Sequence, residues 1–215
     1  MPTQHFLALE EEKQDRIRRS ALQEFGRYGY QKTSVEQIAK AAGISKSMVF
    51  HYFGTKLELY KYLLFYSSDT LKVYYDGIEE KLQGLDYIQK YKLLTKIKLK
   101  AYLAHQEIFS YITMIYLHPE NLHLDPDIEK LFTQMVTQRE EVLKYLITSS
   151  ETDHFRDDLD HEKIKKYINW IIEGFSQQII AELMNQPLDE LYFDDKWEES
   201  DKVLDDLRTL FYKQK

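Results

Sequence analysis

Three groups of residues in this chain have the types and spacing to do chemistry. Lys46, Ser47, Phe50, His51, Tyr52 and Lys56 gather ammonium, hydroxyl, imidazole and phenol donors in one short stretch, and no Asp or Glu occurs from Ala39 to Lys56. Donors without a competing carboxylate suit phosphate oxygens and the acceptor-rich edges of base pairs. His118, Glu120, His123, Asp125 and Asp127 form a second group, and Asp153, His154, Asp157, Asp158, Asp160 and His161 a third. Either could chelate a divalent ion, so a helical metal-dependent enzyme is the alternative reading. Neither, however, has two His at i, i+4, a Cys pair or the glycine of a calcium loop, and solvated loops that cap helices account for both. There is no Gly-rich phosphate cradle and no nucleophile elbow. No catalytic residue, metal or cofactor is expected.

The donors need elements to aim them. Thr33 with Glu36 has the spacing of a capping box that starts a short helix near Ser34. Val35, Ile38 and Ala39 give that helix one apolar face, and Gly43 stops it by taking a positive φ. Ser45 then caps a second helix, with Ile44 and Val49 placed as a hydrophobic staple. Ala39 is small enough for the two helices to cross closely, while Val49 and Phe53 point into the shared core. Lys46 and Ser47 are left in the first turn of the second helix, the end that a recognition helix presents to base edges. The contact set expected is Thr33, Ser34, Ser45, Lys46, Ser47, Phe50, His51, Tyr52 and Lys56, with Phe50 touching sugar or a thymine methyl.

AAGISKSMVFHYFGTKLEL resembles the N-terminal signature of the TetR/AcrR family of bacterial transcriptional repressors. The matching positions are Ala39, Gly43, Ile44, Phe50, Tyr52, Phe53 and Lys56, within about the first quarter of the chain. Phe50 stands where the family commonly has Tyr, and Met48 where Thr is frequent. The resemblance implies a Lys56 contact to phosphate, a homodimer on a palindromic double-stranded operator, and a small, hydrophobic effector that releases DNA. Relatives often carry a basic arm ahead of the first helix; here Glu10, Glu11 and Glu12 occupy that place, and no arm contact is expected.

Charge is distributed to match. The net charge of −7 divides into nine Lys and Arg against six Asp and Glu over residues 1–56, and twenty against thirty over the remainder. A positive end on an acidic body orients the encounter with a duplex. The expected division is therefore a DNA-binding domain at 1–56 and a ligand-binding and dimerisation domain at 57–215. The chain has no Cys, and its N-terminus lacks the pattern of a signal peptide. The apolar run 108–117 is too short to span a bilayer. A cytoplasmic protein without a membrane partner is expected.

With seven Gly, four Pro and no alternating strand pattern, the fold class expected is all-α: a three-helix head with the helix-turn-helix, followed by a helical body. A polar tail precedes a helix over about 11–29. After the two short helices, Thr55 and Glu58 start a rod to about Tyr75 that would couple body to head. Further helices are expected over 87–104, 106–117, 126–149, 161–185 and 194–212. Asp125 with Pro126 and Asp160 mark two starts, and Pro187 ends a helix. The helix from His161 is apolar on more than one stripe and so needs two neighbours. Tyr167, Ile171 and Gly174, with Leu204, Leu207 and Phe211 of the last helix, are the expected dimer face. Buried phenols need hydrogen-bond partners, and the excess of aromatic residues points to an apolar effector pocket lined by Tyr66, Tyr102, Phe109, Tyr116, Phe132, Met135 and Trp170.

Overall fold

A computed structural model describes residues 1–149, 152–184 and 194–214. The expected helices form: α2 (Glu11–Lys32), α3 (Val35–Ala42), α4 (Lys46–Phe53), α5 (Lys56–Tyr75), α7 (Tyr87–Ala104), α8 (Gln106–Leu117), α9 (Pro126–Thr148), α10 (His161–Met184) and α11 (Asp194–Phe211). The end near Pro187 lies outside the described residues. Three elements were not expected: α1 (Gln4–Leu7), α6 (Ile78–Leu82) and a 3-10 turn at Pro119–Leu124. Among the described residues there is no strand, only an isolated bridge between Phe155 and Tyr212. None of their helices is long and apolar enough to cross a membrane.

By packing, the chain forms two compact units, 1–73 with 102–137 and 74–101 with 138–215. Each is assembled from separated stretches, and neither unit has a boundary at residue 56.

The first unit is organised around α2. Ile17, Ala21, Leu22 and Phe25 form its buried stripe against Ile38, Val49, Leu59, Leu63, Ile108 and Tyr111. α8 lies against α2 where Gly26 permits it: a Cβ there would meet Ser110 Cβ and the Tyr111 backbone nitrogen at 3.1 Å. Tyr111 donates to the Tyr60 carbonyl at 2.7 Å. The supposed polar tail is part of this core. Phe6 is fully buried with its ring 4.7 Å from Phe53, held down by α1. A helix of four residues is too short for an apolar period to show, so none is expected there from the sequence.

The second unit packs Tyr87, Ile88, Leu146, Phe155, Ile164, Ile168, Leu204 and Leu207 together. Its polar anchor is Asp86, which accepts from Arg208 Nη2 at 2.9 Å, Tyr212 Oη at 2.8 Å and the Gln89 amide at 2.9 Å. Gln89 Oε1 accepts in return from the Asp86 amide at 2.9 Å, completing a capping box for α7. Burial pushes the Asp86 carboxyl up, but these donors and the Arg208 charge outweigh it and hold the group below its ordinary range. Tyr87 and Tyr91 both donate to Asn169 Oδ1, at 2.9 and 2.5 Å. Four of the tyrosines, Tyr87, Tyr91, Tyr111 and Tyr212, thus donate to protein acceptors.

Candidate nucleic-acid interface

The cap of α3 lies one residue later than the spacing suggested. Ser34 accepts from the Gln37 amide at 3.1 Å, and Gln37 Oε1 accepts from the Ser34 amide at 2.8 Å, so Ser34 and Gln37 form the capping box. Thr33 is buried, and its hydroxyl donates to the Glu24 carbonyl at 2.9 Å. Both pairs satisfy the same sequence rule. The register is decided by α2, whose end draws Thr33 inward.

Gly43 ends α3 with φ +65°, and the Ile44 amide donates back to Ala39 at 3.0 Å. Arg16 Nε adds a bond to the Ala42 carbonyl at 3.1 Å. Ser45 then accepts from the Met48 amide at 3.3 Å and opens α4. α4 ends at Gly54, whose φ of +75° and ψ of −60°, with Thr55 N donating to Phe53 O at 2.9 Å, form a γ-turn. That backbone is open to glycine and strained for other residues. α4 is consequently a rigid rod of eight residues, about 12 Å long at 1.5 Å per residue, framed by two glycine turns.

Val49, Tyr52 and Phe53 are buried on its inner face, while Lys46, Ser47, Phe50 and His51 stand exposed on the outer one. Tyr52 is a correction to the expected contact set. It is 2% exposed, packed edge-on to Phe6 at 5.9 Å, because α1 covers it. α1 also completes the end of α4: Thr3 N donates to Tyr52 O at 2.8 Å and Thr3 Oγ1 to His51 O at 3.2 Å. The His5 and His51 rings lie 4.4 Å apart beside these bonds.

Lys56 is the second correction. Its ammonium donates to the Tyr30 carbonyl at 2.8 Å and the Thr33 carbonyl at 3.0 Å, and sits 4.2 Å from the centre of the Tyr30 ring. Burial lowers its affinity for the proton. The charge clamps the α2–α3 connection to the start of α5 instead of facing outward. Lys46 differs: among the described residues it forms no ion pair, and no carboxylate shares its helix.

A glycine turn between two short helices, the second exposing donors at its N-terminal turn, is a helix-turn-helix of the kind that reads duplex DNA. Residues 17–63 match the family model of bacterial regulatory proteins, tetR family. The whole chain is similar in fold to a TetR-family regulator from Chloroflexus aurantiacus, with TM-score 0.60, 18% identity and complete coverage of both chains. It is similar also to the ketosteroid regulator KstR2 of Mycobacterium tuberculosis, with TM-score 0.61 and 18% identity over 96% of this chain and 97% of that one. A third likeness is a transcriptional regulator from Saccharomonospora viridis in complex with choline, with TM-score 0.62 and 17% identity over 95% and 100%. No curated protein sequence matches the chain. Residues 17–63 are thus a TetR-family DNA-binding domain, and the chain has the fold of the TetR-family regulators.

The other expected sites fare unevenly. Of the dimer set, Tyr167, Ile171 and Gly174 are exposed on α10. Leu204 and Leu207 are not available: both are buried in the core of their own unit, at 3% and 2% exposure. Phe211 is half-buried against that core. Trp170, expected in a pocket, is 59% exposed beside Tyr167 and Ile171, and Tyr116 is 48% exposed. Tyr102 packs edge-on to Phe109 at 5.6 Å, Phe132 and Met135 join the core of the first unit, and Tyr66 lies 4.7 Å beneath Arg18. The acidic groups have other partners. Asp125 and Asp127 bind Lys61, each at 3.1 Å, Asp160 caps α10 through the Lys163 amide, and Arg156 holds Asp158.

Proposed function

We propose that the protein is a dimeric repressor that binds a palindromic operator and is released by a small effector. The observation that carries this reading is the outer face of α4, where Lys46, Ser47, Phe50 and His51 stand exposed with no acid among them. A helix about 12 Å long with donors at its N-terminal turn suits a major groove about 12 Å wide. Ser34 and Ser45, exposed at the caps of α3 and α4, complete the contact set; Thr33, Tyr52 and Lys56 act by positioning it. Residues 1–56 serve the duplex and 57–215 the effector and the partner copy.

Tyr167, Trp170, Ile171 and Gly174 supply the self-association face. They recur at i, i+3, i+4 and i+7 along α10, and nothing lies within 4 Å of a Cβ built at Gly174. A contiguous aromatic and aliphatic stripe of this sort on a charged helix favours a second copy of itself, related by a two-fold axis. Effector binding would shift the population of paired heads away from the spacing of successive grooves, and DNA would weaken effector binding by the same factor. α5, which carries residues of both compact units without an internal Gly or Pro, is the element proposed to link the two events. The choline bound to the Saccharomonospora viridis regulator supports a small-molecule site in a fold of this kind. Selection from random duplexes tests the reading: an inverted repeat is expected, and recovery of no preferred sequence would refute it.

A further inference from the structure

The donor face of α4 continues past the helix itself. His51, exposed in its last turn, has the His5 ring of α1 lying over it, with centroids 4.4 Å apart and planes 30° from parallel. His5 is exposed as well, yet its place is fixed. Its neighbour Phe6 is fully buried with its ring 4.7 Å from that of Phe53, and Thr3 holds the end of α4 through the His51 and Tyr52 carbonyls. A docked segment thus presents two imidazoles side by side on the outer surface of the head.

Neither ring has a hydrogen-bond or ion-pair partner among the described residues. The surrounding charges leave them so. α1 and α4 carry no acid, and the other cation of α4 is Lys46. α5 reaches α1 through Tyr62, 5.7 Å from the Phe6 ring; its first turns bear Glu58, held by the Met1 ammonium and by Lys61 at 3.3 Å, and Lys56, turned onto carbonyls. α2 reaches α1 through Gln14, which donates to the Leu7 carbonyl at 3.3 Å. Of the acids at that end of α2, Glu11 and Asp15 are held by Arg18, while Glu10 and Glu12 form no ion pair; Lys13, Arg16 and Arg19 add positive charge. Histidine is the side chain that gains a proton between about pH 8 and pH 5, and an anion within reach of the ring favours that gain.

We propose that His5 and His51 together hold one backbone phosphate of the duplex at the C-terminal end of α4, and that this contact forms with uptake of a proton from solvent. The unesterified oxygens of a phosphodiester accept from both rings, and a helix C-terminus favours the added positive charge. Lys46 and Ser47 then meet base edges at one end of α4 while the imidazole pair fixes the backbone at the other. His5 thereby supplies a contact from ahead of α2, where the acids Glu10, Glu11 and Glu12 argued against one. The assignment rests on the DNA-binding reading above.

Titration of the full chain against its selected duplex between pH 6 and pH 8, at constant ionic strength, tests it. A complex that holds one more proton than its separated parts gains affinity as pH falls. The rise from pH 8 to pH 6 is expected to be about five-fold, as follows when the contact shifts the proton affinity of the pair by about ten-fold. His5→Gln should lose most of that gain, whereas His5→Arg, charged throughout, should bind at pH 8 about as tightly as the wild type does at pH 6. Thermal melts establish that the variants fold; should His5→Gln not, His5→Asn takes its place. Wild-type affinity that is the same at both ends of the range, or a His5→Gln variant that keeps the full gain, would overturn the proposal. Absence of any preferred duplex would strike the regulator reading, while a preferred duplex bound equally at pH 6 and pH 8 would strike this inference alone.

Discussion

α4 and α10 each leave one face uncovered, and the two faces are chemical opposites. On α4 the exposed residues are Lys46, Ser47, Phe50 and His51; on α10 they are Tyr167, Trp170, Ile171 and Gly174. A hydrated, polyanionic groove is met by donors whose partners it supplies, with affinity that depends on salt. A copy of the same chain is met by area and shape, with little dependence on salt. Lys166, whose ammonium lies 4.7 Å from the Trp170 ring, keeps that apolar face bordered by charge. Lys46 and Lys56 draw the same contrast within the head. The same residue type is left outward in one place and turned onto backbone carbonyls in the other, so a lysine in a DNA-binding segment is not by its type a phosphate contact.

The largest effect should come from the apolar face. Trp170→Glu is expected to cost about 2–4 kcal/mol of self-association and to yield monomers by sedimentation, with duplex affinity falling by more than any single change on α4. An unchanged dimer would move the interface elsewhere. Next comes Asp86→Asn, which keeps the shape but loses the charge bound to Arg208 and Tyr212; a loss of about 2–3 kcal/mol by chemical denaturation is expected. Because the folded carboxyl lies below its ordinary range, its contribution is present above the unfolded value near 4 and is lost as pH falls through the folded one. The wild type should therefore lose stability in acid more steeply than Asp86→Asn.

Smaller changes separate the lysines. Lys46→Ala should cost about 1–3 kcal/mol on the preferred duplex, relax discrimination at one position and leave the melting temperature unchanged. Lys56→Ala should do the reverse. The loss of two bonds from a charged donor is expected to lower stability by about 1–2 kcal/mol in thermal unfolding, with the salt slope of DNA binding unaltered. A salt slope reduced by about one would restore Lys56 as a phosphate contact.

Where local rules act alone, the sequence was sufficient. Gly43, Ser45, Pro126 and Asp160 fix helix ends through their own backbone or side-chain chemistry, and the long helices fall where period and caps agree. What could not be read depends on which neighbour arrives. Phe50 and Tyr52 are both aromatic on one short helix, and only the cover provided by α1 makes Tyr52 the buried one. Leu204 and Leu207 belong to an apolar stripe of α11 that serves a core or an interface equally well until its partners, Ile164 and Ile168, are known. Thr33 and Lys56 match a motif by type while their atoms are engaged by the end of α2. Gly26 carried no signal, because a glycine inside a helix reads as a weakness until the backbone of Ser110 and Tyr111 is found against it.

Footprinting of the wild type and Trp170→Glu on the selected duplex tests the central claim most directly, that the donor face of α4 is delivered to DNA in pairs. Two protected half-sites, their centres separated by about 10 base pairs or a multiple of it, are expected for the wild type, and their loss at matched concentration for Trp170→Glu. A single protected patch, bound equally well by a monomeric Trp170→Glu, would contradict the account.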